Sequence, residues 1–245
     1  MPSSPSRLPD ARWLTARPYA HRGLHGPGRL ENSRAAFEAA IAAGYGIELD
    51  VQASRDGAAI VFHDYALDRL TGAKGRVDRL DAEALARVEL LGMQETIPTL
   101  PEILRLIAGR APLLIEVKSP DRNVGRLCAA VWNALQNYDG PAAIMSFNPQ
   151  VGGWFARRAP QVVRGLVVTE REKRGWKGRL ERRLSWWRAR PHFLAYDVRD
   201  LPSSFASAAR ARGLPVLTWT VRTAREEEAA SAYADQIIHE LPPAQ

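Results

Sequence analysis

At 245 residues the chain has the length of one large domain with a sizeable core, a size that α/β barrels commonly fill as a single unit. Hydrophobic residues at 46% and charged residues at 25% exclude a disordered or fibrous chain, and no apolar run approaches the roughly 18 residues of a membrane span. The net charge of +7 favours anionic partners; without a zinc-finger or RNA-recognition signature, phosphorylated small molecules and acidic lipid surfaces are preferred and nucleic acid is not expected.

In chain order, Met1 to Asp10 is rich in Pro and Ser and lacks the apolar core of a secretion signal. With a single cysteine, Cys128, no intrachain disulfide can form, so the expected compartment is the cytoplasm. A strand at Pro18-Tyr19-Ala20 ends in His21-Arg22-Gly23. A helix follows from Ser33 to Ala43, with Asn32 or Ser33 as N-cap and Gly44 past its end. The next strand runs through Asp50, turns at Ser54-Arg55-Asp56-Gly57 and returns as a strand ending at His63. Residues Tyr65 to Pro98 break the rhythm, with Gly72, Gly75 and a short helical piece from Asp81 to Val88, and read as an excursion at one end of the fold.

Alternation then resumes: helix Leu100–Ala108, strand Leu113–Lys118, helix Val124–Asn137 and strand Ala142–Phe147. Later strands are expected at Gly165–Thr169, Phe193–Asp197, Val216–Thr220 and Gln236–His239, with helices around Gln150–Arg158, Pro202–Arg212 and Thr223–Tyr233. Strands centred on Tyr19, Ile47, Ile115, Ile144, Val167, Ala195, Leu217 and Ile237 predict an α/β fold of the (β/α)8 TIM-barrel type. The alternative, an open doubly wound sheet, lacks its glycine-rich phosphate loop after the first strand. Few residues follow the last strand, so Asp10 to Ala16 is expected to help cover that gap or the barrel's bottom.

Barrel chemistry sits at the C-terminal strand ends. That rule gathers His21 and Arg22, Glu48 and Asp50, Glu116 and Lys118 on one rim, and the short hairpin brings His63 back to it. Glu48 and Asp50, two apart, point to one face of their strand. Like charges there raise one another's pKa, a conflict that an oxygen-seeking cation resolves with Glu116 as third ligand. All-carboxylate ligation suits Mg²⁺ or Ca²⁺ better than Zn²⁺. The structural alternative is pairing of these carboxylates with Arg22 or Lys118. The two imidazoles can move protons near neutral pH, as against satisfied structural histidines. Arg22 and Lys118 read as clamps on phosphate oxygens, a role compatible with balancing the carboxylates.

These residues carry a resemblance. Ala20-His21-Arg22-Gly23, Glu31-Asn32-Ser33, Ile47-Glu48-Leu49-Asp50-Val51, Val61-Phe62-His63-Asp64, Ile97-Pro98-Thr99-Leu100-Pro101-Glu102, Ile115-Glu116-Val117-Lys118 and Thr218-Trp219-Thr220-Val221 stand in this order. The series resembles the glycerophosphodiester phosphodiesterase family from about Tyr19 to Pro242. The resemblance implies one barrel domain over 1–245 with a small subdomain of about 64–98 inserted after the second barrel strand. It implies a divalent ion on Glu48, Asp50 and Glu116, and His21 and His63 as general acid and base in unassigned order. It also implies attack by a glycerol hydroxyl, then water opening a cyclic phosphate, releasing glycerol 3-phosphate and an alcohol such as choline or ethanolamine.

Two departures stand out: Arg222 replaces a usual Asn, and His239-Glu240 replaces a usual Thr-Asp. Both are expected at the rim, clear of the carboxylates and the histidine pair, where they alter head-group or lipid choice. Trp219 is expected to pack against a glycerol or choline moiety, or else to be an interior barrel side chain. Arg171 to Arg190, with Trp176, Trp186 and Trp187, fits an amphipathic face in weak association with an anionic membrane surface, or a solvated outer helix whose tryptophans pack on the barrel. The rival functions are a lysophospholipase D at a membrane surface and a non-catalytic module that binds phospholipid head groups.

Overall fold

A computed structural model describes residues 10–240. The N-terminal stretch read as lacking a secretion signal lies almost wholly outside the described residues, as do 241–245. The first half of the chain runs β1 (Tyr19–Ala20), α1 (Arg34–Ala42), β2 (Gly46–Ala53), β3 (Ala59–Val61), α2 (Ala82–Leu85), α3 (Leu100–Ile107), β4 (Leu113–Val117) and α4 (Gly125–Leu135). The second half runs β5 (Ala142–Ser146), α5 (Pro149–Arg158), β6 (Val163–Val168), α6 (Trp176–Ala189), β7 (Phe193–Asp197), α7 (Ser204–Arg210), β8 (Val216–Val221), α8 (Ala224–Tyr233) and β9 (Gln236–His239). Eight parallel strands close into a barrel in the order β1-β9-β8-β7-β6-β5-β4-β2, because β1 pairs with both β9 and β2. The eight strands are those expected. β3 pairs antiparallel with β2 outside the ring, Val51 opposite Val61, and is the return arm of the expected hairpin.

Helix limits fall within a few residues of expectation, and their caps explain them. Ser33 rather than Asn32 caps α1, its side chain accepting from Ala36 N at 3.1 Å. Thr99 with Glu102 and Thr223 with Glu226 form capping boxes that start α3 and α8.

Alternation along each strand sorts side chains into two cores. Ile47, Leu49, Val51, Leu113, Ile115 and Val117 face outward and pack under α1, α3 and α4. The other parity (Tyr19, Leu114, Ala143, Val163, Phe193, Leu217 and Ile238) fills the lumen. Gly46 and Gly165 sit where a Cβ would strike the rings of Tyr19 and Phe193, so glycine makes room for the two largest fully buried lumen side chains. Leu14, on the 3₁₀ turn Arg12–Thr15, is fully buried among these residues, and Gln236 Nε2 donates to Thr15 O at 3.0 Å. The segment thus stoppers the N-terminal end of the barrel, the place expected for it.

Residues 64–98 lie off the ring. They contain α2 and the 3₁₀ turn Val77–Arg79, and single bridges such as Ala66 with Arg76 tie them together. Leu67, Leu70, Val77, Leu85 and Leu90 cluster there with Ile60 and Phe62 of the hairpin. Among the described residues no helix is long and apolar enough to cross a membrane.

Candidate active site

The lumen parity that carries Tyr19, Leu114 and Ile238 continues upward into polar residues. His21 lies two residues past Tyr19; Glu48 and Asp50 follow Gly46, Glu116 and Lys118 follow Leu114, and Glu240 follows Ile238. The pairing of β2 with β4 sets Asp50 opposite Glu116. Carboxylate oxygens of Glu48, Asp50 and Glu116 lie within 4.8 Å of one another, and the first two residues are almost wholly buried. Burial and then the neighbouring Asp50 charge raise the pKa of Glu48 well above the carboxylate range, and the same two causes push Glu116 up to about 7. Asp50 is lowered despite its burial, because Lys118 and Arg22 flank it. Lys118 Nζ stands 3.5 Å from both Asp50 and Glu116, and Arg22 Nε 3.4 Å from Asp50.

Ionised, as a cation would hold them, the three carboxylates against Arg22 and Lys118 carry one negative charge in excess. Glu48 Oε1 is buried without a hydrogen-bond partner, an orphaned acceptor of the kind that an ion satisfies. The donor set therefore fits a divalent, oxygen-seeking cation, which would turn the local balance to one positive charge. A second group of potential ligands, Glu31, His63 and Asp64, is already spanned by Arg69, which donates to Glu31 at 2.7 Å and Asp64 at 2.6 Å.

His21 and His63 are each backed by a carboxylate, which is in turn held by an arginine. His21 Nδ1 lies 2.6 Å from Glu240 Oε1, and Arg222 Nε donates to Glu240 Oε2 at 2.5 Å. His63 Nδ1 lies 2.6 Å from Asp64 Oδ1, and Arg69 grips Asp64. An ionised carboxylate only accepts, so each Nδ1 carries the proton and each Nε2 is left to exchange one. Glu240 and Asp64 both stay far below the usual carboxylate range: Glu240 against its burial, through His21 and Arg222, and Asp64 chiefly through Arg69. Burial first lowers both imidazoles, an effect opposed by the carboxylates facing them. His21 is the deeper, its Nε2 3.9 Å from Glu48.

One expectation is overturned here. Glu240 does not stand clear of the histidine pair, and Arg222 reaches the site through it. Barrel closure is the reason: Ala20 pairs with His239, so the residue after each meets its neighbour across the seam. His239 itself points outward, edge-on to Tyr45 with ring centroids 4.7 Å apart.

Other supports had a weak signal or none in sequence. Asn32 Nδ2 donates to Asp50 Oδ2 at 3.0 Å while its Oδ1 accepts from Asp50 N. Arg22 and Asn32 both have φ of 56°, a left-handed backbone that costs an arginine about 1–2 kcal/mol. The turn is held by Asn32 N donating to Arg22 O and by Arg22 N donating to Glu48 Oε2. Gln52 Nε2 bridges the carbonyls of Phe62 and Asp64, fixing the hairpin that delivers His63.

His21, Arg22, Glu48, His63, Glu116 and Lys118 line a cleft of about 250 Å³, closed on its far side by Phe147, Trp219 and Arg222. Trp219 is the interior barrel side chain of one expectation and also lines the cleft. Its Nε1 donates to Ala195 O at 2.9 Å, and its ring meets Phe147 edge-on at the cleft. Glu116, Lys118 and Phe147 also border a neighbouring cleft of about 460 Å³ running past Ser119, Asn148 and Pro149.

Known proteins share this frame. A probable glycerophosphodiester phosphodiesterase 2 of Mycobacterium tuberculosis is 32% identical over 213 residues, covering 81% of this chain and 71% of that one. A glycerophosphodiester phosphodiesterase of Caldanaerobacter subterraneus is 29% identical over 91% of this chain and 93% of its own. The match to a Bacillus altitudinis glycerophosphodiester phosphodiesterase is shorter, 41% identical over 108 residues and 43% of that protein's length. A solved Oleispira antarctica phosphodiesterase in complex with the product sn-glycerol-3-phosphate superposes with a TM-score of 0.76 at 26% identity, covering 90% of this chain and 91% of that one. The sequence pattern of the glycerophosphoryl diester phosphodiesterase family matches residues 21–240, from the first histidine of the site to the glutamate that backs it. By that match, and by the barrel beneath it, the chain belongs to the glycerophosphoryl diester phosphodiesterase family.

Proposed function

We propose that the protein hydrolyses glycerophosphodiesters to glycerol 3-phosphate and an alcohol, with a divalent cation, Mg²⁺ or Ca²⁺, held by Glu48, Asp50 and Glu116. The observation that carries this reading is the meeting, in one cleft, of a buried carboxylate triad and two histidines whose Nε2 atoms are free to exchange protons. When bound, the cation supplies Lewis-acid stabilisation of charge on the phosphoryl oxygens. Arg22 and Lys118 orient the phosphate, and the single positive charge of the loaded site matches a phosphodiester monoanion.

One histidine removes the proton from the attacking hydroxyl as its oxygen bonds to phosphorus. The other gives a proton to the departing alkoxide as the old P–O bond breaks, leaving a cyclic glycerol phosphate when the attacking hydroxyl is glycerol's own. The roles then reverse: the imidazole that gave its proton takes one from water as the water oxygen bonds to phosphorus, and the first returns its proton to the glycerol oxygen as the ring P–O bond breaks. Glu240 and Asp64 keep each imidazole in the tautomer this needs and stabilise its charged form. Trp219, beside Phe147, offers a wall for a glycerol or choline moiety. Residues 64–98 act as a small subdomain that carries Arg69 to the site and braces Glu31 and Asp64. The one cysteine, buried and unpaired, suits a reducing compartment such as the cytoplasm.

The test is product analysis with glycerophosphocholine. Release of choline with glycerol 3-phosphate, lost with a chelator and in folded His21→Ala, supports the reading; turnover unchanged by both overturns it. A second reading, lysophospholipase D, is favoured by the route from the site past Phe147 and Pro149 to the apolar furrow beside Trp176, Leu180 and Leu184, which gives an acyl chain somewhere to lie. Choline release from lysophosphatidylcholine at a rate matching glycerophosphocholine would establish it. A silent head-group binder is disfavoured by the complete proton-exchange apparatus, and turnover at stoichiometric enzyme would exclude it.

A further inference from the structure

Helix α6 wears its apolar side chains outward. Toward the barrel it buries Gly178, Arg182 and Ala189, with Arg182 paired to Glu170 at 2.9 Å. Trp176 and Trp187 are each 70% exposed, Leu180 50% and Leu184 58%. Their spacing of four, four and three places all four on one face of the helix, opposite the buried residues. A contiguous apolar stripe of this kind marks an interaction surface rather than scattered surface hydrophobics. Trp186 goes the other way and lies edge-on to Phe205 of α7, ring centroids 5.7 Å apart. The expectation of a solvated helix whose tryptophans pack inward therefore holds for Trp186 and not for Trp176 or Trp187.

The charge beside the stripe says what covers it. Lys177, Arg179 and Arg183 flank it, exposed, and none has an acidic partner among the described residues. The one acid on this part of the helix, Glu181, is neutralised by Lys173 at 2.6 Å. On one flank, Arg179 and Arg183 also line a groove of about 500 Å³ with Arg212, floored by Trp186 and Phe205. An apolar ridge beside an arginine-lined groove matches the acyl chains and phosphates of an anionic bilayer. A second copy of the chain fits poorly, because a two-fold contact would set these cations against themselves.

The stripe also borders the route to the catalytic cleft. Pro149 lines both the furrow beside Trp176, Leu180 and Leu184 and the cleft that shares Glu116, Lys118 and Phe147 with the site.

We propose that α6 is an interfacial helix: it docks the protein on an anionic phospholipid surface, with Trp176, Leu180, Leu184 and Trp187 among the acyl chains and Arg179, Arg183 and Arg212 against head-group phosphates. Docking stands apart from the catalytic reading, since it is measured without turnover.

The experiment uses the full chain with vesicles of phosphatidylcholine alone or mixed equally with phosphatidylglycerol. Wild type is expected to sediment with the anionic vesicles, with a blue shift of tryptophan fluorescence, and to remain in the supernatant with neutral ones. Trp176→Ser with Trp187→Ser, and separately Arg179→Glu with Arg183→Glu, should each weaken binding by roughly tenfold or more. Melting temperature and turnover of soluble glycerophosphocholine should hold in both variants. Wild type left in the supernatant overturns the proposal, as does either double variant binding like wild type. So does a concentration-dependent dimer that the tryptophan variant abolishes.

Discussion

The mouth and the floor of this barrel are the two ends of the same eight strands, and they use the same inward-facing positions for opposite ends. At the floor these positions hold Tyr19, Val163, Phe193 and Leu217 around Leu14, an apolar stopper with no charge to satisfy. At the mouth the next inward positions hold His21, Glu48, Asp50, Glu116 and Glu240, charges kept in place by one another and by arginines from outside the ring. Folding free energy is gained at the floor, through apolar burial. It is spent at the mouth, where like charges are buried together and Glu48 keeps an oxygen unpaired. Stability and activity should therefore separate cleanly between the two ends.

The largest separation is expected at the histidines. His21→Ala or His63→Ala should lower kcat by about 10²–10⁴-fold while leaving the melting temperature nearly unchanged. A matching loss of stability would mean that the mouth is also holding the fold together. At the floor, Leu14→Ala should cost about 2–5 kcal/mol of stability. Near 2–4 °C per kcal/mol for a chain of this size, that is a plain fall in melting temperature, with kcat/KM for the remaining folded protein intact.

The carboxylates give the next effect, with the sign reversed. A divalent cation at about 100 times its Kd should stabilise wild type by about 2.7 kcal/mol. Glu48→Gln should melt no lower than metal-free wild type, because it replaces a carboxyl that burial and Asp50 already push toward its neutral form, and should lose most of that cation response. Glu240→Gln tests the seam. It should reduce kcat by roughly tenfold, as lost support of a reacting group commonly does, with less effect on KM. An unchanged kcat would return Glu240 to the peripheral role suggested by its place in the sequence.

The smallest effect belongs to the floor side. His192, held down to about 4 by burial and then by Arg164, accepts a hydrogen bond from Arg164 N at Nδ1. Its folded pKa lies below the unfolded value of about 6.5, so its contribution is complete above pH 6.5 and is lost as pH falls toward 4. His192→Gln should flatten that part of the acid limb of a stability profile, and an identical limb would assign the loss to other groups.

How much of this was legible in the sequence follows from distance along the chain. Glu48 with Asp50, and Glu116 with Lys118, are two apart, so strand alternation alone sets each pair on one face. The strand tips then put them on one rim. The contact of His21 with Glu240 spans nearly the whole chain and exists because the first and last strands pair. No local period encodes it, although Glu240, two past the lumen residue Ile238, has the right parity. Asn32 stood inside a recognised motif with a helix cap as its only candidate role, because what it does depends on a left-handed turn that brings its amide to Asp50. Helix α6 resisted for another reason: its buried face is made of glycine, alanine and a paired arginine, so the usual apolar stripe points the wrong way.

The central claim is that the mouth is a metal-assisted phosphodiesterase site, and following glycerophosphocholine by ³¹P NMR tests it most directly. With Mg²⁺ or Ca²⁺ present, the diester signal should give way to that of glycerol 3-phosphate, and excess chelator should stop the conversion. A diester signal that persists with either ion, or one that is consumed equally in the presence of chelator, would contradict the account.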